Sequence, residues 1–132
     1  MLKVSGIMIK NVVIAKDDTT IEKAIEILYK KHVGSIVITD EEENCIGIFT
    51  ERDALRTIAH KIPLNTPLEK VMTKRVKTIR DNATLEEVRR YIFPKGIRHI
   101  PVINERGKLV GLLVIRDFLD QLFGIKLRPS KP

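Results

Sequence analysis

The stretch Gly-Ile-Phe-Thr-Glu-Arg-Asp, residues 47–53, is typical of a buried strand that ends in a tight turn and continues into the first turn of a helix. Residues 111–117, Gly-Leu-Leu-Val-Ile-Arg-Asp, repeat this pattern 64 residues later. The same spacing separates the two glycines and the two aspartates. We infer that the chain is a duplication, and that each copy ends by presenting a carboxylate at the start of a helix.

The elements before this stretch occur in the same order in both copies. In the first copy, apolar residues at Ile21, Ala24, Ile25 and Leu28 follow helical spacing, and Gly34 is expected to end that helix. The two strands that follow are joined by a short charged turn, which predicts an antiparallel pair. The predicted strands are 12–15, 35–39, 45–49, 76–79, 98–103 and 109–114, and the predicted helices begin near residues 21, 51, 85 and 115.

Each copy therefore has the order β-α-β-β-α, which places the chain in the α+β class. A three-stranded sheet with helices on one side buries little surface alone, so we expect the two copies to pack sheet-to-sheet with pseudo-two-fold symmetry. The predicted division is residues 1–65 for the first repeat and 66–124 for the second. Residues 125–132 are expected to form a basic flexible tail.

Composition narrows the class of protein. Of the 132 residues, 43% are hydrophobic and 31% are charged, a balance typical of a soluble globular domain. The longest apolar run, residues 109–115, is too short to span a bilayer, and the N-terminus lacks the pattern of a signal peptide. The single cysteine, Cys45, excludes an internal disulfide and a cysteine-rich zinc site. We therefore expect the protein to be located in the reducing cytoplasm.

The net charge of +7 favours an anionic partner, whether a nucleotide, a nucleic acid or an acidic protein. Aromatic residues make up only 5% and Trp is absent, which weakens the prediction of a base-stacking platform. Abundant Lys, Glu and Ile are typical of a thermophile. The sequence offers no nucleophile–base–acid set, no glycine-rich phosphate loop and no metal-ligand spacing, so we expect neither an enzyme nor a cofactor or metal site.

Taken together, these segments resemble a tandem pair of CBS (cystathionine β-synthase) domains, a standalone Bateman-type module. The resemblance covers residues 6–120. It implies a regulatory module that binds AMP, ADP or ATP, and in some members S-adenosylmethionine, in the clefts between paired units. It also implies a homodimer of four units and a regulated partner protein that the sequence does not name. The matching segments are the two Gly…Asp stretches, the lead-ins 7–8 and 71–72, and residues 34–37 and 98–102.

The resemblance also implies roles for particular residues. Asp53 and Asp117 match the family's ribose-binding aspartate, whose two oxygens suit a sugar diol. Thr50 matches the family's hydroxyl three residues earlier, and it can donate to a phosphate at the helix start. The second copy has Val114 there, which departs from the pattern. Cations that could meet bound phosphates are Arg98, His99 and Arg116.

Two sets of alternatives stay open at this point. Thr50 and Asp53 also form an ordinary helix N-cap pattern, and Asp117 can likewise be a capping residue. Arg98 and His99 can be surface residues at a strand edge. For function, the alternatives are a nucleic-acid-binding protein, suggested by the charge, and an interaction adaptor that works without a ligand.

Overall fold

The computed structural model describes residues 2–92 and 97–115. It confirms the α+β class, with two three-stranded sheets that each have the same strand order and pairing. The predicted helix from residue 115 and the predicted tail lie outside the described residues. The elements are β1 Ile14–Ala15, α1 Ile21–Lys31, β2 Ser35–Thr39, β3 Cys45–Thr50, α2 Glu51–Ala59, β4 Ile79–Arg80, α3 Leu85–Ile92, β5 His99–Ile103 and β6 Leu109–Val114.

The chain forms two compact units, and the first comprises residues 13–76. In its sheet, β1 is parallel to β2. Strand β2 is antiparallel to β3, as the short turn between them predicted. The hairpin turn between β2 and β3 is held by Asp40, whose Oδ1 accepts the amides of Glu42 and Asn44, both at 2.9 Å. An Asp that bonds to amides two and four residues ahead is a common way to fix a tight turn, so the charged turn sets the register of the strands.

The first helix ends earlier than predicted. Helix α1 stops at Lys31, and His32 takes the left-handed conformation with φ 53°, while its amide bonds to the carbonyls of Leu28 and Tyr29. The prediction that Gly34 ends the helix was therefore wrong. A left-handed residue closes the helix two positions sooner, although that residue is not a glycine. Gly34 instead leads into β2, where its carbonyl accepts the amide of Glu51 at 3.0 Å.

The second unit comprises residues 2–12 together with the described residues from 77 onward. Its strands β4, β5 and β6 repeat the pairing of the first sheet: β4 is parallel to β5, and β5 is antiparallel to β6. Its apolar core includes Val88, Ile100, Val102 and Leu113, which are fully buried. The register also repeats, since Ser35 lies opposite Thr50 in the first sheet and His99 lies opposite Val114 in the second.

The lead-in segments are exchanged between the repeats. Thr73, from the start of the second repeat, pairs with Ile48 in the first unit, and the two residues exchange hydrogen bonds of 3.0 Å. Ile9, from the start of the first repeat, pairs in the same way with Leu112 in the second unit. The division at residue 65 follows the sequence repeat, whereas these contacts group residues 2–12 with the second sheet and residues 66–76 with the first.

A methionine and a glycine hold each exchanged segment in place. A Cβ on Gly47 would lie 2.5 Å from Sδ of Met72, and a Cβ on Gly111 would collide with Sδ of Met8. Both methionines also pack against the apolar core of their unit, as expected for flexible core-filling side chains. The glycine of the opening sequence motif is therefore explained by close packing inside a strand rather than by a turn.

Candidate functional site

The β3–α2 junction of the first unit carries two of the predicted site residues, Thr50 and Asp53. Strand β3 runs to Thr50 and helix α2 begins at Glu51, so no residue separates the strand from the helix. The tight turn that the sequence predicted between them is therefore not formed. Thr50 keeps an extended backbone, with φ −107° and ψ 170°, and serves both as the last strand residue and as the helix N-cap. A β-region N-cap makes this direct change of direction possible.

Thr50 and Asp53 form a reciprocal capping box. The amide of Asp53 donates to Oγ1 of Thr50 at 3.2 Å, and the amide of Thr50 donates to Oδ2 of Asp53 at 2.9 Å. The Thr50 hydroxyl also donates to the same Oδ2, at 3.2 Å. The structure thus realises the capping interpretation of this pair. Because a hydroxyl carries one proton, Thr50 can donate to a ligand only by giving up its bond to Asp53.

Asp53 is a buried carboxylate with a nearby countercharge. The residue is only 7% exposed, and its Oδ1 lies 3.3 Å from Nη1 of Arg56, one helical turn further on. The Nη2 of Arg56 donates to the carbonyl of Val71 at 2.7 Å, which orients the guanidinium. Asp53 therefore does not point into open solvent. Its Oδ2 takes both bonds from Thr50, which leaves Oδ1, beside Arg56, as the oxygen with acceptor capacity to spare.

Sequence reasoning missed Ser35 and Arg56 at this corner. Ser35 begins β2 directly opposite Thr50, and it is buried. It lies 64 residues before His99, so the repeat spacing that linked the two aspartates could have indicated it. Arg56 follows Asp53 by three residues, a spacing that places two side chains on one helix face.

The structure places the predicted cations of the second unit at the start of β5. Arg98 is exposed, and its carbonyl accepts the amide of Ile115 at 2.9 Å. His99 is half-buried and lies opposite Val114, the last residue of β6. Val114 is buried and occupies the place that Thr50 has in the first unit, so no hydroxyl is available there. The predictions for Arg116 and Asp117 lie outside the described residues.

An open polar pocket of about 280 Å³ lies at the other end of the second sheet. It is formed where β4 ends and where the β5–β6 turn begins, so it is separated from His99 by the length of β5. None of the predicted site residues lines it. Its lining residues are Arg80, Asp81, Asn82, Asn104, Glu105 and Arg106.

Over residues 2–92 and 97–115, no three His, Cys, Asp or Glu side chains come close enough to hold a metal ion. In that part, too, no helix has both the length and the apolarity to cross a bilayer. Cys45 is half-buried, and burial raises the pKa of its thiol, which disfavours the reactive thiolate.

Comparison with known proteins identifies the family. The CBS domain model matches twice, over residues 4–60 and 68–124. The chain belongs to the CBS domain family. The two matches account for most of its length, so the resemblance to a tandem pair of CBS domains is confirmed.

One curated relative is the uncharacterized 17.7 kDa protein in the bps2 3' region of Acidianus ambivalens. It is 32% identical over 123 residues, which are 93% of this chain and 74% of that protein. Several other curated relatives are longer, and this chain spans only 22% to 53% of their length.

Two solved structures show ligands in similar CBS pairs. The CBS domain pair of protein MJ0100, in complex with 5'-methylthioadenosine and S-adenosyl-L-methionine, has a TM-score of 0.83 and 26% identity, and covers 94% of this chain and 97% of its own. The CBS domain protein PAE2072 from Pyrobaculum aerophilum, complexed with AMP, also has a TM-score of 0.83 and 26% identity, and covers 94% of this chain and 100% of its own.

Proposed function

We propose that this protein is a non-catalytic regulatory module that binds an adenosine-containing nucleotide, AMP, ADP or ATP, and passes its ligand state to a partner protein. S-Adenosylmethionine is the further candidate ligand. The nucleotide is bound in the cleft that the family resemblance implies, with its sugar at Asp53. Binding takes place in the cytoplasm, where a reducing environment suits a chain with a single free thiol.

One observation carries this proposal: the family's ribose-binding position is occupied by a buried carboxylate at a helix start. Burying a carboxylate is costly unless its partners compensate for the lost water. Asp53 has such partners in Thr50 and Arg56, so the charge is held in place before a ligand arrives. A fixed acceptor binds a diol with little reorganisation, which favours affinity.

The second unit supplies the remaining proposed contacts. Arg98, His99 and Arg116 are the proposed partners of nucleotide phosphates, in keeping with the net charge of +7. Asp117 is the proposed ribose residue of a second site. Because Val114 brings no hydroxyl, we expect that site to bind more weakly than the first.

We also propose a homodimer, and its supporting feature is an apolar stripe on α2. Leu55 and Ile58 are 69% and 55% exposed, one helical turn apart. Large exposed apolar side chains in contiguous positions mark interaction surfaces. An antiparallel copy of α2 would bury these two side chains against the same two residues of the second copy.

Calorimetric titration of the purified chain with AMP, ADP, ATP and S-adenosylmethionine tests the ligand. The proposal predicts saturable heat with at least one of the four at physiological ionic strength. Absence of heat with all four ligands would contradict it. A parallel gel-shift series with DNA and RNA, at increasing salt, separates the alternative: a nucleic-acid-binding protein would bind at low salt and lose affinity steeply as the salt concentration rises.

A further inference from the structure

Ser35 carries a buried hydroxyl with no hydrogen-bond partner among the described residues. The residue is 2% exposed, so water does not reach the hydroxyl easily. A buried polar group without a partner costs free energy, and such groups are uncommon in native proteins. An alanine would fill the same place without this cost. The hydroxyl is therefore explained most directly by a partner that arrives from outside the chain.

Strand pairing places Ser35 beside the helix N-cap. Ser35 lies opposite Thr50, and the flanking bond runs from the amide of Glu51 to the carbonyl of Gly34 at 3.0 Å. This pattern defines a non-hydrogen-bonded antiparallel pair, in which the two side chains are on one face of the sheet and are closest together. The free hydroxyl of Ser35 is thus a neighbour of the capping box that Thr50 and Asp53 form.

The donors at this corner differ in availability. The Thr50 hydroxyl and the amides of Thr50 and Asp53 bond within the capping box, and the amide of Glu51 bonds to Gly34. In the part of the chain that the structure describes, no acceptor is found for the amide of Arg52, the second residue of α2. The available donors are therefore the Ser35 hydroxyl and this amide, at the positive end of a helix dipole.

We propose that the Ser35 hydroxyl donates a hydrogen bond to the phosphate of the nucleotide bound at this corner. This inference rests on the proposed function, and it changes the part expected of Thr50. Two donors at a helix N-terminus suit a phosphate oxygen, which accepts strong charge-assisted bonds. Thr50 then keeps its bond to Asp53 and positions the carboxylate for the sugar, while Ser35 meets the phosphate.

The test compares AMP with adenosine, which lacks the phosphate, by calorimetry on the wild type and on Ser35→Ala. We expect the substitution to raise the Kd for AMP about tenfold, the loss typical of one hydrogen bond to a charged group, and to leave the Kd for adenosine unchanged. The ligand-free variant should unfold at the same temperature as the wild type or higher, because it loses a polar group that had no partner. If Ser35→Ala does not fold, Ser35→Cys keeps the volume with a weaker donor and is expected to shift the AMP Kd in the same direction.

Thr57→Val is the matched control. Thr57 is fully buried in α2, and its hydroxyl already donates to the carbonyl of Ala54 at 2.7 Å. Removing that hydroxyl should leave both Kd values unchanged. An unchanged AMP Kd in Ser35→Ala, or an equal loss for AMP and adenosine, would overturn the phosphate assignment while the proposed function stands. Failure of the wild type to bind any of AMP, ADP, ATP and S-adenosylmethionine would overturn the proposed function, and this inference with it.

Discussion

The same corner of the fold is built with different chemistry in the two units. In the first unit, Ser35 faces Thr50, and both side chains end in hydroxyls. In the second unit the equivalent pair is His99 and Val114, an imidazole and an apolar side chain. Strand order and register are the same in both. The repeat therefore preserves backbone pairing, whereas a few side chains on that backbone decide what each corner can bind.

The methionine–glycine contact shows the opposite behaviour. Met72 covers Gly47 in the first unit and Met8 covers Gly111 in the second, with nearly the same geometry. This contact serves to join a lead-in segment to a sheet, which both units need. Features that hold the fold are therefore kept in both units, and features of the candidate site differ between them.

The largest loss of AMP binding is expected for Asp53→Ala, because this substitution removes the carboxylate that is proposed to bind the ribose at the β3–α2 corner of the first unit. The loss of the charge-assisted bonding that Oδ1 of Asp53 offers to a ribose should weaken AMP binding about 100-fold or more. Loss of the capping box and of the Arg56 partner should lower the free energy of unfolding by about 2 kcal/mol. Calorimetry and urea unfolding measure the two effects.

Asp81→Ala is the control for that substitution. Asp81 lines the polar pocket at the far end of the second sheet, so both AMP binding and stability should stay close to those of the wild type. If Asp53→Ala bound AMP as tightly as Asp81→Ala does, the carboxylate would be a capping residue and nothing more.

The next largest effect is expected for alanine substitutions in the methionine–glycine contact, which both units share. Gly111→Ala should lower the free energy of unfolding by about 1 to 3 kcal/mol, because the new methyl group must displace Met8 and also meets the carbonyl of Ile9 at 3.1 Å. Gly47→Ala should lower the free energy of unfolding by less, because the three atoms nearest to the new methyl group all belong to the flexible side chain of Met72. Urea unfolding of the two variants measures the difference, and an equal or reversed order would contradict this account of the packing.

The smallest effect comes from making one corner resemble the other. Thr50→Val gives the first unit the residue of the second, and it should lower the free energy of unfolding by about 1 kcal/mol through loss of the N-cap. AMP binding should weaken only modestly, since Asp53 remains in place but is held less firmly. Thermal unfolding and calorimetry measure both quantities. A loss of AMP binding as large as that of Asp53→Ala would mean that Thr50 contacts the ligand itself.

Local patterns in the sequence predicted the local structure well. The order of elements, the antiparallel hairpins and the helix start after Thr50 all follow from apolar spacing and capping residues, which act over a few positions. The end of α1 was placed wrongly because Gly34 was the expected left-handed residue, whereas His32 takes that conformation. Such a choice between nearby residues depends on the hydrogen bonds that close the helix, and composition does not reveal it.

Long-range features could not be predicted in the same way. The exchange of lead-ins joins Ile9 to Leu112, and no periodicity indicates which sheet a short segment will join. Of the two partners of Asp53, the sequence predicted Thr50 but not Arg56. The missing partner of Ser35 depends on the positions of all neighbouring atoms, so only a three-dimensional structure reveals it.

NMR titration of the ¹⁵N-labelled protein with AMP is the most direct test of whether the β3–α2 corner of the first unit binds an adenosine nucleotide. Binding at this corner should produce saturable shifts that are largest at the amides of Ser35, Arg52 and Asp53. Shifts confined to the polar pocket around Arg80 and Arg106, or no shifts at all, would contradict it.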